Sequence, residues 1–404
     1  MHVLFVTHYF HPEVGAPQTR ILDLGRELAR RGHEVTILTG FPNYPDGVIP
    51  PPYRGRRFAV ERLGALRVLR APIYPAPNRG VVRRLLNHAS FAVSSVLAAP
   101  RARAADAVVV ETPPLFLAAS GVAIARAKRA RLVLNVADLW PDAVIQFGAL
   151  DHKGAIAAAR ALERFAYRHA DAILVPTPGL ERILVDRGVP PERVAVAAHG
   201  VDPGRFPLDG APDPVPGRVV YCGTIGMGHA TGTLVEAARR LRAAGGEQEF
   251  LVVGDGAERP ELEARVRDLG LEGVSFPGRV PREELPDVLA TATVTVATQR
   301  DLPLLADALS TKVLEYMAAA RPVVASVSGW TAEVITRARA GIVCPPEDPQ
   351  ALADGIAELT ADPERAREMG ASGRRYVEEH LTRARAVEVL ERALAGDPGT
   401  ATRG

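Results

Sequence analysis

Short apolar runs alternate with amphipathic stretches twice along this chain, and one break separates the two series. HVLFVTH (2–8), EVTILTG (34–40), DAVVV (106–110), RLVLNV (131–136), DAILVP (171–176) and RVAVAA (193–198) read as strands of the first series. Helical spacing predicts helices from Thr19 to about Arg31 and near 80–99, 115–130, 154–170 and 177–188. RVVYCG, EFLVVG, VSFPG, TVTVAT and RPVVAS form the second series, with helices near 231–244, 258–269, 282–291 and 310–320. Strands that lack polar alternation are covered on both faces, so each series predicts a parallel, doubly wound α/β sheet. The break, DPGRFPLDGAPDPVPG (202–217), holds five prolines and three glycines and reads as a linker. The expected domains are therefore 1–204 and 205–380. Residues 381–404 add a last helix and tail that pack back toward the first domain. Ligands of such sheets bind beyond the carboxyl ends of the strands, here in the cleft between the domains.

The 404 residues exceed one ordinary core and suit two. The net charge of +2 conceals an asymmetry. Residues 1–204 carry 26 Lys+Arg against 17 Asp+Glu, a balance of +9, and the rest carry 23 against 30, a balance of −7. The first half thus faces something anionic. Aromatics make up only 5 % and form no basic stacking patch, which argues against nucleic acid and leaves an anionic membrane. Cys222 and Cys344 sit in apolar strand-like runs, as thiols of a reducing cytosol do. The start MHVLFVTHYF reads as a core strand rather than a signal peptide, and no run of 18 apolar residues predicts a membrane span.

The loops after the strands carry the candidate chemistry. Gly15 follows the first strand; Gly223, Gly226 and Gly228 follow RVVYC; Gly254 and Gly256 follow EFLVV. Glycine lets backbone approach a ligand, and amides at a following helix N-terminus bind phosphate. GMGHATG (226–232) approaches a dinucleotide fingerprint, but its third glycine is one residue late and no acid closes the next strand, so a nicotinamide cofactor is disfavoured. In DALSTKVLEYMAAARPVVAS (307–326), Asp307 lies just ahead of a helix and Glu315 about one turn inside it. An anion docked there would meet free amides of residues 309–312 and the Lys312 ammonium. Glu315 could accept from a ribose diol and Asp307 could reach sugar hydroxyls. Arg20, near Gly15, is a candidate substrate ligand; Asp138, after RLVLNV, is a candidate active-site carboxylate; His199 is a further candidate contact.

YFHPEVGAPQTR (9–20), GHEVTILTGFPNYPDG (32–47), ETPPL (111–115), ADLWPD (137–142), PTPGLERIL (176–184), HGVDPGRF (199–206), YCGTIG (221–226), VVGDG (252–256), FPGRV (276–280) and STKVLEYMAAARPVV (310–324) occur together and in order. With them the chain resembles glycosyltransferase family 4. Within it, the chain is most similar to transferases of bacterial capsule, exopolysaccharide and O-antigen synthesis, fucosamine transferases among them. The resemblance implies a GT-B fold of two Rossmann-like domains and a retaining transfer from a nucleotide diphosphate sugar, UDP-linked by the habit of that subgroup, to a lipid-linked or other glycan acceptor. It implies that Glu315 holds the ribose, that Asp307, one methylene shorter than the usual Glu, faces the transferred sugar, and that backbone of Leu309, Ser310 and Thr311 contacts the diphosphate. Arg279 and Val280 would border the base, and Gly15 would let its loop close over the β-phosphate. No metal is required.

Two departures stand out. Members commonly carry an Arg and a Lys after the first strand of the second domain, whereas Thr224 to Thr231 holds neither; Lys312, Arg300 and a helix dipole are the substitutes. A His common near DLWPD is replaced by Ala137-Asp138. In retaining members the departing phosphate oxygen is proposed to take the acceptor proton, which tolerates the loss of a side-chain base. A nucleotide-sugar epimerase of the same fold and a non-catalytic sugar-nucleotide-binding protein are the alternatives. Residues 79–103 carry five arginines, no acid and an apolar centre too short to span a bilayer. They predict either a buried helix or a membrane-surface helix, the latter making this a cytoplasmic enzyme peripheral to the inner membrane.

Overall fold

The computed structural model describes residues 1–13, 15–77, 81–146, 148, 150–226 and 228–397. The chain forms two compact units, Met1–Ala198 with the segment from Arg383 on, and His199–Thr382.

The first unit runs β1 (His2–Val6), α1 (Ala16–Arg30), β2 (Glu34–Gly40), β3 (Ala59–Leu63), β4 (Leu66–Ala71), α2 (Val81–Ala98), β5 (Ala107–Thr112), α3 (Phe116–Lys128), β6 (Arg131–Val136), α4 (Asp142–Gln146), α5 (Lys153–His169), β7 (Ala172–Val175), α6 (Pro178–Asp186) and β8 (Val194–Val196). Its eight strands lie in the order β3-β4-β2-β1-β5-β6-β7-β8. All ladders are parallel except β3–β4, an antiparallel edge that the strand periodicity did not reveal. In AVERL the exposed Val60 and Arg62 alternate with the more covered Ala59, Glu61 and Leu63, as an edge strand with one wet face does. The first helix begins at Ala16, three residues before Thr19, because Pro17 is tolerated in a first helical turn.

The second unit runs β9 (Arg218–Cys222), α7 (Thr231–Ala243), β10 (Glu249–Val253), α8 (Arg259–Asp268), β11 (Val274–Gly278), α9 (Leu285–Ala290), β12 (Val294–Thr298), α10 (Pro303–Ala306), α11 (Thr311–Ala318), β13 (Val323–Ser326), α12 (Gly329–Arg337), β14 (Gly341–Cys344), α13 (Pro349–Ala361) and α14 (Pro363–His380). Six parallel strands take the order β11-β10-β9-β12-β13-β14. The last helix, α15 (Arg383–Ala395), belongs to the first unit. Val387, Leu390 and Leu394 enter that unit's core, and Glu391 accepts from Arg31 at 2.8 Å.

These two sheets give the doubly wound, Rossmann-like pair of the GT-B class. Strand order reverses between β1 and β5 in one sheet and between β9 and β12 in the other. Such reversals open a crevice at the carboxyl ends of the strands, where ligands bind. Both cysteines are buried free thiols, Cys222 at the end of β9 and Cys344 at the end of β14.

Candidate functional site

At the β9/β12 reversal, Lys312 from the first turn of α11 lies buried against the end of β9. Its Nζ donates to Tyr221 Oη at 2.6 Å, sits 4.1 Å from the centre of that ring, and lies 3.5 Å from His229 Nδ1. Tyr221 passes its own proton to the Thr224 carbonyl at 2.7 Å, so it can only accept from Lys312. The His229 imidazole is pushed down to about 3 by burial and then by the Lys312 charge, so it too is neutral. Among the described residues no carboxylate lies within ion-pair distance of Lys312. The ammonium also stands at the positive end of the α11 dipole, which favours an anion and not a cation. A desolvated cation without a counter-charge is costly and gives strong attraction to an anion placed beside it.

The backbone is built around that ammonium. A Cβ on Gly223 would lie 2.8 Å from Lys312 Cε and 2.9 Å from Nζ, so the glycine leaves the lysine its place. A Cβ on Gly254 would fall 1.8 Å from the Gly223 carbonyl oxygen, so the VVGDG turn can pack beneath β9 only as glycine. The loop with His229 is tied to β12: Thr298 Oγ1 donates to the His229 carbonyl at 2.6 Å, and the Arg300 amide to Gly228 at 3.2 Å. Tyr316 Oη accepts from the Cys222 amide and donates to its carbonyl, fastening α11 to β9. Burial, then the charge of Glu315, pushes the Cys222 thiol up to about 12, so it is not a nucleophile.

The structure brings Lys312 and Gly223 together. Glu315 is half-buried on α11, and Asp307 lies at the C-terminal end of α10. Leu309 is buried, and Thr311 is the first residue of α11. Ser310 is the residue before the helix, but its hydroxyl does not cap it, and its amide donates to Thr331 Oγ1 at 3.1 Å. The expectation of free amides across 309–312 is therefore corrected at Ser310. A Cβ on Gly226 would make only an ordinary contact, 3.7 Å from Thr224 Cγ2. Arg279 is exposed, with Nε 3.5 Å from Asp255, and Val280 follows it. The Arg300 side chain is exposed and His199 is half-buried.

A second cluster lies at the β1/β5 reversal of the first unit. Arg20 on α1 is buried and ion-paired with Glu111, the fifth residue of β5. Asn135 donates to the other Glu111 oxygen at 2.6 Å. Burial raises the Glu111 carboxyl against the opposing Arg20 charge. Asp138 is exposed in the loop after β6, and desolvation by the protein around its carboxyl raises it, again against the Arg20 charge. Gly15 precedes α1 in extended backbone that any residue could adopt, but a Cβ there would fall 2.5 Å from Oε1 of the buried Gln18, so the packing of that side chain already favours glycine.

Sequence reasoning missed Tyr221, His229, Glu111 and Asn135. His229 lies within GMGHATG, where glycine spacing is the visible pattern and a single histidine adds none. An acid ending the apolar run VVVE was the available signal for Glu111.

Comparison with known proteins gives the same picture. The family described as "Glycosyl transferase 4-like domain" matches residues 15–200, and "Glycosyl transferases group 1" matches 216–362. WcaI of Escherichia coli (strain K12), named as a colanic acid biosynthesis glycosyl transferase, is 31 % identical over 291 residues, 68 % of this chain and 70 % of its own length. The 2-deoxystreptamine N-acetyl-D-glucosaminyltransferase of Streptomyces fradiae is 29 % identical over 91 % of this chain and 90 % of its own. Among solved structures, HepE of Anabaena in complex with UDP and glucose superposes with a TM-score of 0.71 at 18 % identity, covering 97 % of this chain and 99 % of its own. The chain therefore belongs to glycosyltransferase family 4 and is a nucleotide-sugar-dependent glycosyltransferase of the GT-B fold.

Proposed function

We propose that the protein is a retaining transferase that moves a sugar from a UDP-linked donor to a lipid-linked glycan acceptor in surface polysaccharide synthesis. The observation that carries the donor half is the buried Lys312 ammonium at the β9/β12 reversal, which has no carboxylate within ion-pair distance among the described residues. A nucleotide diphosphate supplies the missing counter-charge. On this reading Glu315 holds the ribose, Asp307 faces the sugar, Thr311 and Leu309 present backbone to the diphosphate, and Arg279 with Val280 borders the base. Gly223 and Gly226 line the donor loop, with Arg300 and His199 at its margin. Gly15, Arg20 and Asp138 act from the first unit. The departing phosphate oxygen takes the acceptor proton, and the protein positions and stabilises charge. Uridine is favoured by the UDP-bound neighbour, and a polysaccharide product by the relative named for colanic acid. The direct test incubates the protein with radiolabelled UDP- and GDP-sugars and a membrane extract. Label entering organic-extractable material from a UDP-sugar is the expected result. Transfer from GDP-sugars alone, or from no donor, overturns the reading.

A membrane-surface role for residues 79–103 fits the exposure of α2. Val82, Val93 and Leu97 are between 63 and 70 % exposed, and Leu85, Leu86 and Val96 are exposed as well, while Phe91 and Ser95 face the core. Arg83 and Arg84 are exposed beside that stripe, and Arg79 lies outside the described residues. Among the described residues no helix is long and apolar enough to cross a membrane. Each arginine near an anionic surface contributes about 1 kcal/mol, so binding should be reversible and salt-sensitive. Wild type is expected to pellet with anionic vesicles at low salt, and the triple variant Arg79→Glu, Arg83→Glu, Arg84→Glu to stay in solution. Equal pelleting of the two refutes the assignment.

A further inference from the structure

Beyond β1 and β2, a group of rings stands at the start of α2 and takes no part in the Arg20–Glu111 cluster. Tyr9 and Tyr44 lie with ring centres 5.3 Å apart, tilted by 59°. His8 meets Tyr9 edge-on at 4.4 Å and His88 edge-on at 4.8 Å. The group is held from beneath by buried hydrogen bonds. His8 Nε2 donates to Asn87 Oδ1 at 2.7 Å, since the Asn87 amide nitrogen is committed to Asn43 Oδ1 and to the Tyr74 carbonyl. Glu13 accepts from the amides of Asn43 and Tyr44 at 2.8 Å and of Phe10 at 3.2 Å, which locks the two tyrosine-bearing loops together. Tyr9, Tyr44 and His88 themselves are only half-buried, and among the described residues neither phenol hydroxyl has a hydrogen-bond partner. One turn before His88 on the same helix face stands Arg84, exposed and without an acidic partner among the described residues; its charge reaches both His88 and Tyr9. Val82, Leu85 and Leu86 flank it, all exposed.

Three chemistries thus follow one another: rings with free hydroxyls, a guanidinium without a counter-ion, and an uncovered apolar face. We propose that Tyr9, Tyr44, His88 and Arg84 form the acceptor subsite, and that it takes a sugar ring joined through phosphate to an apolar chain. Ring hydroxyls meet the phenols and His88, the phosphate meets Arg84, and the chain lies along Val82, Leu85 and Leu86. This rests on the proposed lipid-linked acceptor and assigns it residues. A soluble acceptor such as an aminocyclitol would leave Arg84 and the stripe unused.

Calorimetry tests it with four probes, each titrated with and without saturating UDP: glucosylated farnesyl diphosphate, farnesyl diphosphate, farnesol and inorganic diphosphate. Arg84→Ala is expected to weaken both diphosphate lipids about tenfold or more and to leave farnesol unchanged, since a charge-assisted hydrogen bond is lost. Tyr44→Ala is expected to weaken only the glucosylated probe, about fivefold, through loss of a ring contact and a hydroxyl; Tyr44→Phe, which keeps the ring, should lose less. Diphosphate lipids that bind Arg84→Ala as they bind wild type overturn the proposal, as does inorganic diphosphate binding as tightly as the lipids when saturating UDP occupies the donor site. UDP affinity, read in the same titrations, should be equal in all these variants. Absence of UDP binding to wild type would fail the donor assignment instead, and the lipid titrations without UDP would still decide the subsite.

Discussion

Glu315→Ala is expected to abolish donor use or nearly so. The carboxylate lies on α11 one turn beyond Thr311, half-buried, close enough to the end of β9 for its charge to act on the Cys222 thiol. A ribose diol placed there donates two hydrogen bonds to it. Removing a charged acceptor from desolvated donors costs about 1.5–3 kcal/mol, or roughly ten- to 150-fold in affinity. Glu315→Gln keeps an acceptor oxygen and should retain part of the binding. Calorimetry with UDP, turnover with the donor, and a melting curve to establish folding check this. A folded Glu315→Ala protein with wild-type affinity and turnover removes Glu315 from the donor site.

Lys312→Met should move stability and donor binding in opposite directions. In the ligand-free protein the ammonium is buried, faces two neutral groups and stands at the positive end of α11. Exchanging it for an unbranched apolar side chain of similar volume removes a desolvated charge, so the melting temperature is expected to hold or rise. The diphosphate loses its buried cation, and by analogy with the removal of one donor from a charge-stabilising site, turnover should fall about 100- to 1000-fold. UDP affinity should fall far more than UMP affinity, because the second phosphate carries the extra charge. If UDP loses no more than UMP, Lys312 is not the group that replaces the absent Arg and Lys. His229, which lies beside the lysine, gives a milder control: His229→Ala should weaken UDP through a less well-held ammonium while leaving the charge in place.

The two sheets were legible in the sequence because strands covered on both faces are short continuous apolar runs bounded by turn residues. The proline-rich segment marked the break between them for the same local reason. β3 and β4 escaped because AVERL and LRVLRA mix arginine and glutamate into short strands, and Arg70 is tolerated in the interior because Glu61 accepts from it at 3.0 Å and the His11 carbonyl at 2.6 Å. Beyond Ser326, α12, β14, α13 and α14 are elements of ordinary length for which the sequence reading gives no expectation.

Lys312, Asp307 and Glu315 were visible as residue types at a telling spacing. What surrounds Lys312 was not: Tyr221, Gly223 and His229 lie 83 to 91 residues away in sequence and meet it only because β9 is adjacent to β12 in the sheet. That no carboxylate among the described residues comes within ion-pair distance of Lys312 is a property of the whole neighbourhood, and no local pattern encodes it. The same holds for Arg20 with Glu111, paired across 91 residues. For α2, apolar residues occur on both sides of the helix, so periodicity could not choose between a buried and a surface helix. The sheet and α3 cover Phe91 and Ser95 and leave Val82, Val93 and Leu97 bare, because burial belongs to the neighbours a side chain acquires and not to the side chain itself.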